Sequence, residues 1–478
     1  MLTAQWVSQR VPGDATMLVS IGFVDAANGA AGGYSAPMLE FSGRAVYTAD
    51  GGVNWFQSVV PESLRAIVVL RFVGWGAALA LGAYNLPGMQ RHRAARSNMP
   101  FAYGYDRYLR LLGIDGTASY RGYALKSTNG GQTWFQYGTL PNNVSYLVGA
   151  SFVTSQLGYA TGDTAALGGP CVLKTTNGGL SWNELAIPDS IVYLRDISFV
   201  DSVLGVAVGY MATDSVSVHG IIIRTTDGGT TWTLKHLPAV NNFTSVSFSN
   251  ELVGYAAGPS NADSVHPVQG LLYKTTDAGE SWTEVQFAGA DSIIVSHVTF
   301  ARGTDVGVVY GYGDSRDTSR NVFIARTTNA GESWSLQTVT VASPKMLLEG
   351  GILLTALDGY LTGGDVLTSS VILHTSNGGF NDVGKWGKGF PRTQKLEQNF
   401  PNPFNPTTTV SFAMSHSSFV TLRVYDLLGR EVATLVNGLE EPGFKSVTWD
   451  ASNVPSGLYF YRLTTEVFTE TKRLLLIK

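Results

Sequence analysis

A short turn motif recurs along most of the chain and constrains the fold more than any other feature. Each copy has Thr or Ser, then Asp or Asn two positions later, then two small residues that are mostly Gly. The Asp or Asn positions are Asp50, Asn129, Asn177, Asp227, Asp277, Asn329 and Asn377, and the first six copies continue to Trp55, Trp134, Trp182, Trp232, Trp282 and Trp334. Five of the six spacings are 48 to 52 residues, and the other is 79. A period of this size predicts a repeat architecture.

The motif has the chemistry of a tight turn between two strands. Asp and Asn accept bonds from backbone N–H groups two residues on, and Gly supplies positive φ. The flanking segments, such as 221–224 and 232–235, are apolar or β-branched, so we expect them to form a hairpin. The Trp then lies on the strand that leaves the turn and packs into a core.

A second marker repeats with the same period. Each repeat holds an apolar segment ending in Gly plus a small or aromatic residue: Gly29-Ala30, Gly74-Trp75, Gly158-Tyr159, Gly205-Val206, Gly254-Tyr255, Gly307-Val308 and Gly359-Tyr360. One repeat therefore holds four antiparallel strands, which is one propeller blade. The sequence predicts an all-β fold, a seven-bladed β-propeller over residues 1–385.

The ends of this region indicate how the ring closes. The seventh turn lacks a Trp, while the chain opens with Gln5-Trp6-Val7-Ser8-Gln9. We predict that residues 3–10 form the missing fourth strand of the last blade, beside residues 371–374. Closure removes the exposed sheet edges of an open array.

These turns resemble the Asp-box, or bacterial neuraminidase (BNR) repeat. The fuller pattern is similar to the propellers of the photosystem II assembly and stability factor family. The resemblance implies a β-propeller fold and says little about function.

One interval between turns, of 79 residues, is longer than the others. The additional residues fall near 84–120, a segment rich in Arg and Tyr. We interpret it as a projecting recognition loop, a plain insertion or a sequence error.

The repeat stops near residue 386, and a different module follows. Residues 386–398 are expected to be a linker. Six alternating segments in 399–478, separated by turns, predict a small Ig-like β-sandwich.

This tail resembles the type A C-terminal sorting domain of the type IX secretion system of Bacteroidota. The matching stretches are 399–406, 424–432, 457–461 and 472–478, and they include Pro401, Asn402, Pro403, Phe404, Tyr425, Asp426, Gly429, Arg430, Gly457, Tyr459 and Lys478. The resemblance implies that the secretion translocon is a partner and that the protein is secreted or held on the outer cell surface. No signal peptide is visible, so we expect that the true start lies upstream or that the sequence begins at the mature end.

Composition excludes several classes of function. Charged residues make up 14% of the chain and the net charge is −4, which argues against binding to nucleic acid or anionic membranes. The sequence contains no uncharged run of 18 apolar residues, so it predicts no transmembrane segment. The single Cys171 excludes an intramolecular disulfide and a Cys-based zinc site, and the isolated His residues indicate no metal site. We expect no cofactor.

Enzymes with Asp-box propellers remain an alternative. The Arg-Ile-Pro signature of sialidases is absent, and Asn in four of the seven boxes cannot be a general acid. Xyloglucanase-like enzymes use paired carboxylates, for which Asp25, Asp163, Asp201 and Asp305 are candidates in turn-like contexts. We predict no catalytic residues.

Two arginines, Arg65 and Arg195, appear at matching places at the starts of inner strands, where both could face the mouth of a channel. They are the predicted binding residues. The preferred function is an exported, non-enzymatic propeller that binds a protein or glycan. The alternatives are a secreted glycoside hydrolase and an assembly factor for a membrane protein complex.

Overall fold

The computed structural model describes residues 6–12, 17–35, 42–74, 77–85, 120–164, 169–212, 218–260, 269–285, 293–301, 303–313, 322–337, 339–340, 346–365, 369–376, 395–414, 418–440, 443–465 and 468–477. All regular secondary structure among these residues is β-strand. In the same residues there is no helix of a length and apolarity that would cross a membrane.

The propeller region contains seven sheets within the described residues, six of four strands and one of five. Each four-stranded sheet is an antiparallel meander in chain order. The first two are β2 (Met17–Phe23), β3 (Gly29–Ser35), β4 (Ser42–Thr48), β5 (Phe56–Gln57), and β6 (Leu64–Gly74), β7 (Ala77–Asn85), β8 (Tyr120–Ser127), β9 (Phe135–Gln136).

The third to sixth sheets repeat this order. They are β10 (Val144–Phe152), β11 (Gly158–Thr164), β12 (Pro170–Thr175), β13 (Asn183–Leu185); β14 (Ile191–Phe199), β15 (Gly205–Ala212), β16 (Val218–Thr225), β17 (Thr233–Leu237); β18 (Ser245–Phe248), β19 (Gly254–Pro259), β20 (Gly270–Thr275), β21 (Thr283–Glu284); and β22 (Ile293–Phe300), β23 (Gly307–Gly313), β24 (Val322–Thr327), β25 (Ser335–Leu336).

The seventh sheet joins the two ends of the region. Its strand order is β26 (Val339–Thr340), β1 (Trp6–Gln9), β29 (Ser369–Thr375), β28 (Gly359–Asp365), β27 (Met346–Leu353). Strand β1 runs antiparallel to β29, with Val7 opposite His374 and Gln9 opposite Ile372. Trp6 is fully buried.

The first strands of the sheets contact one another in cyclic order. β2 contacts β6, and the contacts continue through β10, β14, β18, β22 and β27 back to β2. Sheets arranged radially around such a ring form a β-propeller. We call the contact between the seventh and first sheets, together with strand β1, the seam. Across it the Tyr360 hydroxyl donates to the Gly51 carbonyl oxygen at 2.6 Å, and Trp55 Nε1 donates to Gln9 Oε1 at 2.7 Å.

Aromatic side chains bind neighbouring sheets together. A Phe near the end of the first strand packs edge-on against the Trp of its own turn motif, as Phe199 does against Trp232 at 6.1 Å between ring centroids. The same Phe stacks on a Tyr of the preceding sheet, as Phe199 does on Tyr159 at 3.5 Å. At the seam, Phe23 makes both contacts with Trp55 and Tyr360. The stacked Phe and Tyr thus link neighbouring sheets, while the Trp packs against the Phe from within the same sheet.

The second sheet departs from the sequence interpretation at one point. Gly74 ends β6, and β7 begins at Ala77, so Gly74 is not the start of the second strand. Ala78, opposite Ser127, takes the place that Gly158, opposite Thr175, has in the third sheet. Trp75 and residues 86–119, which include most of the irregular segment 84–120, lie outside the described residues.

The tail forms two sheets around one core. One sheet is β30 (Lys395–Leu396), β31 (Thr407–Met414), β34 (Gly443–Asp450); the other is β33 (Glu431–Glu440), β32 (Ser418–Tyr425), β35 (Gly457–Thr464), β36 (Thr469–Leu476). Both contribute to a cluster that includes Phe412, Leu422 and Tyr461. Because Lys395 pairs with Ala413, residues 395–398 belong to the tail and the predicted linker 386–398 is too long at this end.

Candidate functional site

The repeated turns are held by a fixed set of hydrogen bonds. In the fifth sheet the Thr275 hydroxyl donates to Asp277 Oδ1 at 2.7 Å and accepts the Gly279 N–H at 2.8 Å. Asp277 Oδ1 also accepts the N–H of Ser281, four residues on, at 2.8 Å. The sequence argument placed this bond two residues on. It is wrong in that detail, because the Thr275 hydroxyl accepts the N–H of Gly279, the residue two positions on, instead.

Asp and Asn are interchangeable in these turns for a chemical reason. The second side-chain atom of each faces a side chain four residues on, which is a hydroxyl in five turns and Asn54 Nδ2 in the first. A hydroxyl donates to a carboxylate and accepts from an amide equally well. This arrangement recurs at Asp50, Asn129, Asn177, Asp227, Asp277 and Asn329, while Asn377 lies outside the described residues.

The turn carboxylates are poor general acids. Bonds from the Thr231 hydroxyl and N–H lower the pKa of Asp227 to about 2, and the corresponding bonds from Ser281 lower that of Asp277 to about 2. The pKa of Asp50 is lowered by the Asn54 N–H and amide.

The tryptophans of the turn motifs are mostly removed from solvent. Four of them, Trp55, Trp134, Trp182 and Trp282, are buried, and Trp232 and Trp334 are half-buried.

A basic residue before the turn has a role that the sequence analysis missed. Lys174 Nζ donates to the Gly228 carbonyl at 2.9 Å, and Arg224 Nε donates to the Ala278 carbonyl at 2.8 Å. Each acceptor lies in the turn motif of the next sheet. The signal was the Lys or Arg that precedes Thr-Thr in several copies, at a constant distance from the Asp or Asn.

The inner strands share a β-bulge, and it selects the residues at the axis. In six first strands the register shifts at the same place, leaving Val19, Val68, Val148, Arg195, Ser296 and Glu349 as the extra residues. In the fifth sheet Thr244 immediately precedes β18. Its N–H donates to the Ala257 carbonyl at 2.8 Å, although Ser245 is the residue that lies opposite Ala257. We call these seven residues the bulge ring.

The bulge ring corrects the pairing of the two predicted arginines. The shift in β6 lies between Ile67 and Val69, whereas that in β14 lies between Leu194 and Asp196. Val68 is therefore the counterpart of Arg195, and Arg65 lies three residues earlier. Arg195 is 5% exposed, with its guanidinium 4.8 Å from the centre of the Tyr193 ring. Arg65 is half-buried near the start of β6.

Charged groups from different sheets interact electrostatically across the ring. Arg71 of the second sheet donates from Nε to the Ala150 carbonyl at 3.1 Å and from Nη1 to Ser20 Oγ at 3.3 Å. Its charge also stabilises the ionised form of Asp196, from the fourth sheet. Asp196 accepts the Val246 N–H at 3.0 Å, yet burial raises its pKa overall. Burial also disfavours the charged form of Arg71 and so lowers the pKa of its guanidinium.

A second set of ionisable groups lies on the sixth and seventh sheets. His297 stacks on Tyr310 at 5.2 Å between ring centroids, and burial lowers the pKa of His297 to about 4, so the imidazole is neutral at physiological pH. Burial raises the pKa of Glu349 to about 7, against the opposing charge of Arg195. Because Arg195 belongs to the fourth sheet and Glu349 to the seventh, their interaction runs across the axis.

The other candidate acids have structural partners. Asp25 Oδ1 accepts the N–H groups of Ala27 and Asn28, and Asp201 Oδ1 accepts those of Val203 and Leu204. Asp163 lies within β11 rather than in a turn, and Tyr146 donates to it at 3.4 Å. In the described ranges no three His, Cys, Asp or Glu side chains come together as a metal site would require.

In the tail, the proline-rich segment fastens the last strand. Asn402 Oδ1 accepts the Leu475 N–H at 2.8 Å, and the backbone of Phe404 pairs on both sides with Leu475 and Ile477. The Phe404 side chain is fully buried, and the peptide bonds before Pro401 and Pro403 are cis. Lys478 lies outside the described residues.

A rigid turn projects from the other sheet of the tail. Asp426 Oδ1 accepts the N–H groups of Leu428 and Arg430 at 2.9 Å each, and Oδ2 accepts Arg430 Nε at 2.7 Å. Gly429 has φ +77°, and Leu427 and Leu428 are exposed. The remaining motif residues support this fold: Arg462 lies over the Tyr425 ring, Gly457 pairs with Leu476, and the Tyr459 hydroxyl donates to the Pro455 carbonyl.

Comparison with known families decides the nature of the tail. Residues 398–478 match the family described as the secretion system C-terminal sorting domain. The C-terminal part of this chain is a type IX sorting tail. The sorting tail indicates export from the cell, to the medium or the cell surface. We use "sorting domain" below for residues 395–477.

The propeller is similar in fold to several solved structures. They include YCF48 bound to D1 peptide (14% identity, 79% of this chain and 100% of that chain, TM-score 0.49), the GH74 xyloglucanase from Xanthomonas campestris (11%, 86% and 59%, 0.49) and the Hadza microbial sialidase (11%, 76% and 66%, 0.39). This chain thus spans 59% of the xyloglucanase. No curated protein matches by sequence. Likenesses at this level describe the fold and carry no argument about activity.

Proposed function

We propose that the chain is an exported, non-enzymatic, seven-bladed β-propeller that binds a protein or glycan at one end of its axis. The Ig-like sorting domain is its address for the secretion translocon. The binding role is supported by the bulge ring. The side chains of the repeated turns are occupied by structural bonds, whereas the bulge ring combines Val in three sheets with four different polar or charged residues in the others, so that its chemistry varies around the axis.

The single observation that carries the proposal is the two-sided character of the bulge ring. Val19, Val68 and Val148, from the first three sheets, belong to or pack against one apolar cluster. Arg195, Thr244, Ser296 and Glu349, from the other four, are charged or hydroxyl-bearing. An apolar wall opposite a few convergent polar groups is the usual composition of a ligand site.

Binding screens on the purified propeller test this proposal. The wild type is applied to a glycan array and to extracts of surface proteins, beside Arg195→Met and the matched control Arg121→Met, which changes an arginine of β8. We expect at least a tenfold loss of ligand binding for Arg195→Met and no change for Arg121→Met. Equal binding by all three proteins would contradict a site at the ring.

A secreted glycoside hydrolase is the second candidate, and one observation favours it. Asp196 and Glu349 both have raised pKa values and come from sheets on different sides of the axis. A protonated carboxyl beside an ionised one is the pair that glycosidases use. Glycan turnover that Glu349→Gln abolishes while binding persists would replace the non-enzymatic proposal with this one.

The export role has its own test. Deleting residues 395–478 is expected to leave the propeller inside the cell, and Asp426→Ala, which removes the bonds that hold the exposed turn, is expected to reduce export. Cell fractions and medium are compared by immunoblotting. Unchanged secretion of the deleted form would contradict a role for the sorting domain.

A further inference from the structure

One ammonium group links the sorting domain to the propeller. Lys395 Nζ lies 3.5 Å from Asp305 Oδ2 and 3.3 Å from Glu397 Oε1. Asp305 lies in the turn between β22 and β23 of the sixth sheet, while Lys395 and Glu397 open the sorting domain. Glu397 is 6% exposed, so the shared cation partly compensates a carboxylate that is mostly removed from water.

An aromatic side chain makes a second contact nearby. Phe400 packs against a propeller cluster that contains Trp55, Tyr360 and Ile372, beside Val11 and Ile352. These residues come from the first and seventh sheets, so Phe400 covers the seam. The backbone of Phe400 nevertheless pairs with Thr409 of the sorting domain, at 2.9 Å and 2.8 Å. Backbone and ring of one residue thus serve two domains.

The segment that makes both contacts is held rigidly on its own domain. The Tyr461 hydroxyl donates to the Glu397 carbonyl at 2.7 Å and accepts the Asn399 N–H at 2.7 Å. Asn399 Nδ2 donates to Thr408 Oγ1 at 2.9 Å. Tyr461 is fully buried in the sorting-domain core. A contact surface fixed in advance loses little conformational entropy when it docks.

We propose that residues 395–400 are a docking surface through which the sorting domain sits on its own propeller, against the seam and the β22–β23 turn. This goes beyond the proposed function and does not depend on it. One aromatic ring and one half-exposed ion pair make a weak contact between separate molecules. The contact forms because the chain between residues 376 and 395 keeps the local concentration of the two surfaces high. Cutting that chain therefore releases the sorting domain.

Cross-linking of the full chain tests the docking. Asp305→Cys and Lys395→Cys are combined and treated with a short bis-maleimide, leaving the Phe400 contact to hold the domains. The native Cys171 is buried and does not compete. After cleavage at a protease site inserted between residues 377 and 394, cross-linked fragments run as one band under denaturing conditions. The matched control is Val203→Cys with Lys395→Cys, since Val203 is exposed in the corresponding turn of the fourth sheet.

We expect at least tenfold more cross-linked product for the Asp305 pair than for the Val203 pair. Adding Phe400→Ala is expected to reduce the product about tenfold, whereas Phe419→Ala, an exposed phenylalanine of the same domain, leaves it unchanged. Val11→Asp, on the propeller side, repeats the test if Phe400→Ala unfolds the sorting domain. Equal yields for the two cysteine pairs, or no response to Phe400→Ala in a folded protein and to Val11→Asp, would overturn the docking.

Without cross-linker, the same cleavage tests the release. We expect the two fragments to separate on size-exclusion chromatography, while the uncut chain elutes as one species. Fragments that remain together after cleavage at micromolar concentration would overturn the dependence on the tether.

Discussion

The turn motifs at the rim and the bulge ring at the axis are built from the same repeat but follow opposite rules. The six described turns keep the same backbone bond whether the central residue is Asp or Asn. At the ring, the same backbone bulge carries Val in three sheets and Arg, Thr, Ser or Glu in the others. The repeated turns stabilise the scaffold, whereas the residues of the bulge ring vary between sheets, as the proposed binding role requires.

The comparison predicts its largest stability effect at the axis. Asp196→Ala removes the acceptor of the Val246 N–H and the counter-charge of Arg71, and both Asp196 and Arg71 are half-buried. We expect a loss of about 3 kcal/mol in the free energy of unfolding, measured in urea. Asp196→Asn keeps an acceptor and should cost less. A loss no larger than that of Asp277→Ala would break the comparison.

Glu349→Gln should change how stability depends on pH. The pKa of Glu349 in the folded protein is raised to about 7, so its stabilising neutral form is fully present below about pH 4.5 and is lost as pH rises through 7. Above pH 7 the variant should therefore be more stable than the wild type by on the order of 3 kcal/mol, with little difference at pH 4.5. Chemical unfolding at several pH values measures this difference. A constant difference across that range would contradict burial of the carboxyl.

At the rim, the same kind of substitution should matter less. Asp277→Ala leaves the Ser281 N–H and hydroxyl to water, because this side of the turn is exposed, and we expect a loss of about 1–2 kcal/mol. Asp277→Asn, which copies Asn177 and Asn329, should cost less than about 0.5 kcal/mol. Thermal unfolding compares the two. A large cost for Asn would mean that the turns are not interchangeable.

The seam gives the smallest expected effect. Tyr360→Phe removes the hydroxyl that donates to the Gly51 carbonyl but keeps the ring stacked on Phe23. We expect a loss of about 1 kcal/mol. Tyr47→Phe, in a neighbouring strand of the first sheet, is the control. Hydrogen exchange of β1 and β29 would show whether the effect is local to the seam.

The sequence predicted the parts of the molecule that depend on local chemistry. Thr275, Asp277 and Gly279 bond within five residues of one another, so their spacing alone indicates the turn. The placement of Trp6 beside the last sheet follows from counting the strands of each repeat, because the last repeat lacks its fourth strand. No knowledge of tertiary contacts is needed for this. The pairing of Arg65 with Arg195 was wrong, because the two Leu-Arg segments are offset by three residues once the bulges of β6 and β14 are aligned, and no local pattern marks a bulge.

The sequence by itself determined that this chain repeats a four-stranded unit and ends in a sorting tail, since both are written in short motifs whose bonds are local. Only the tertiary structure decided which charged residues interact across the axis, as Arg71 and Asp196 do, and where the sorting domain touches the propeller. Those contacts join residues far apart in the chain, and their formation depends on the angle between sheets and on the position of each bulge. Neither quantity is encoded in the spacing of a motif.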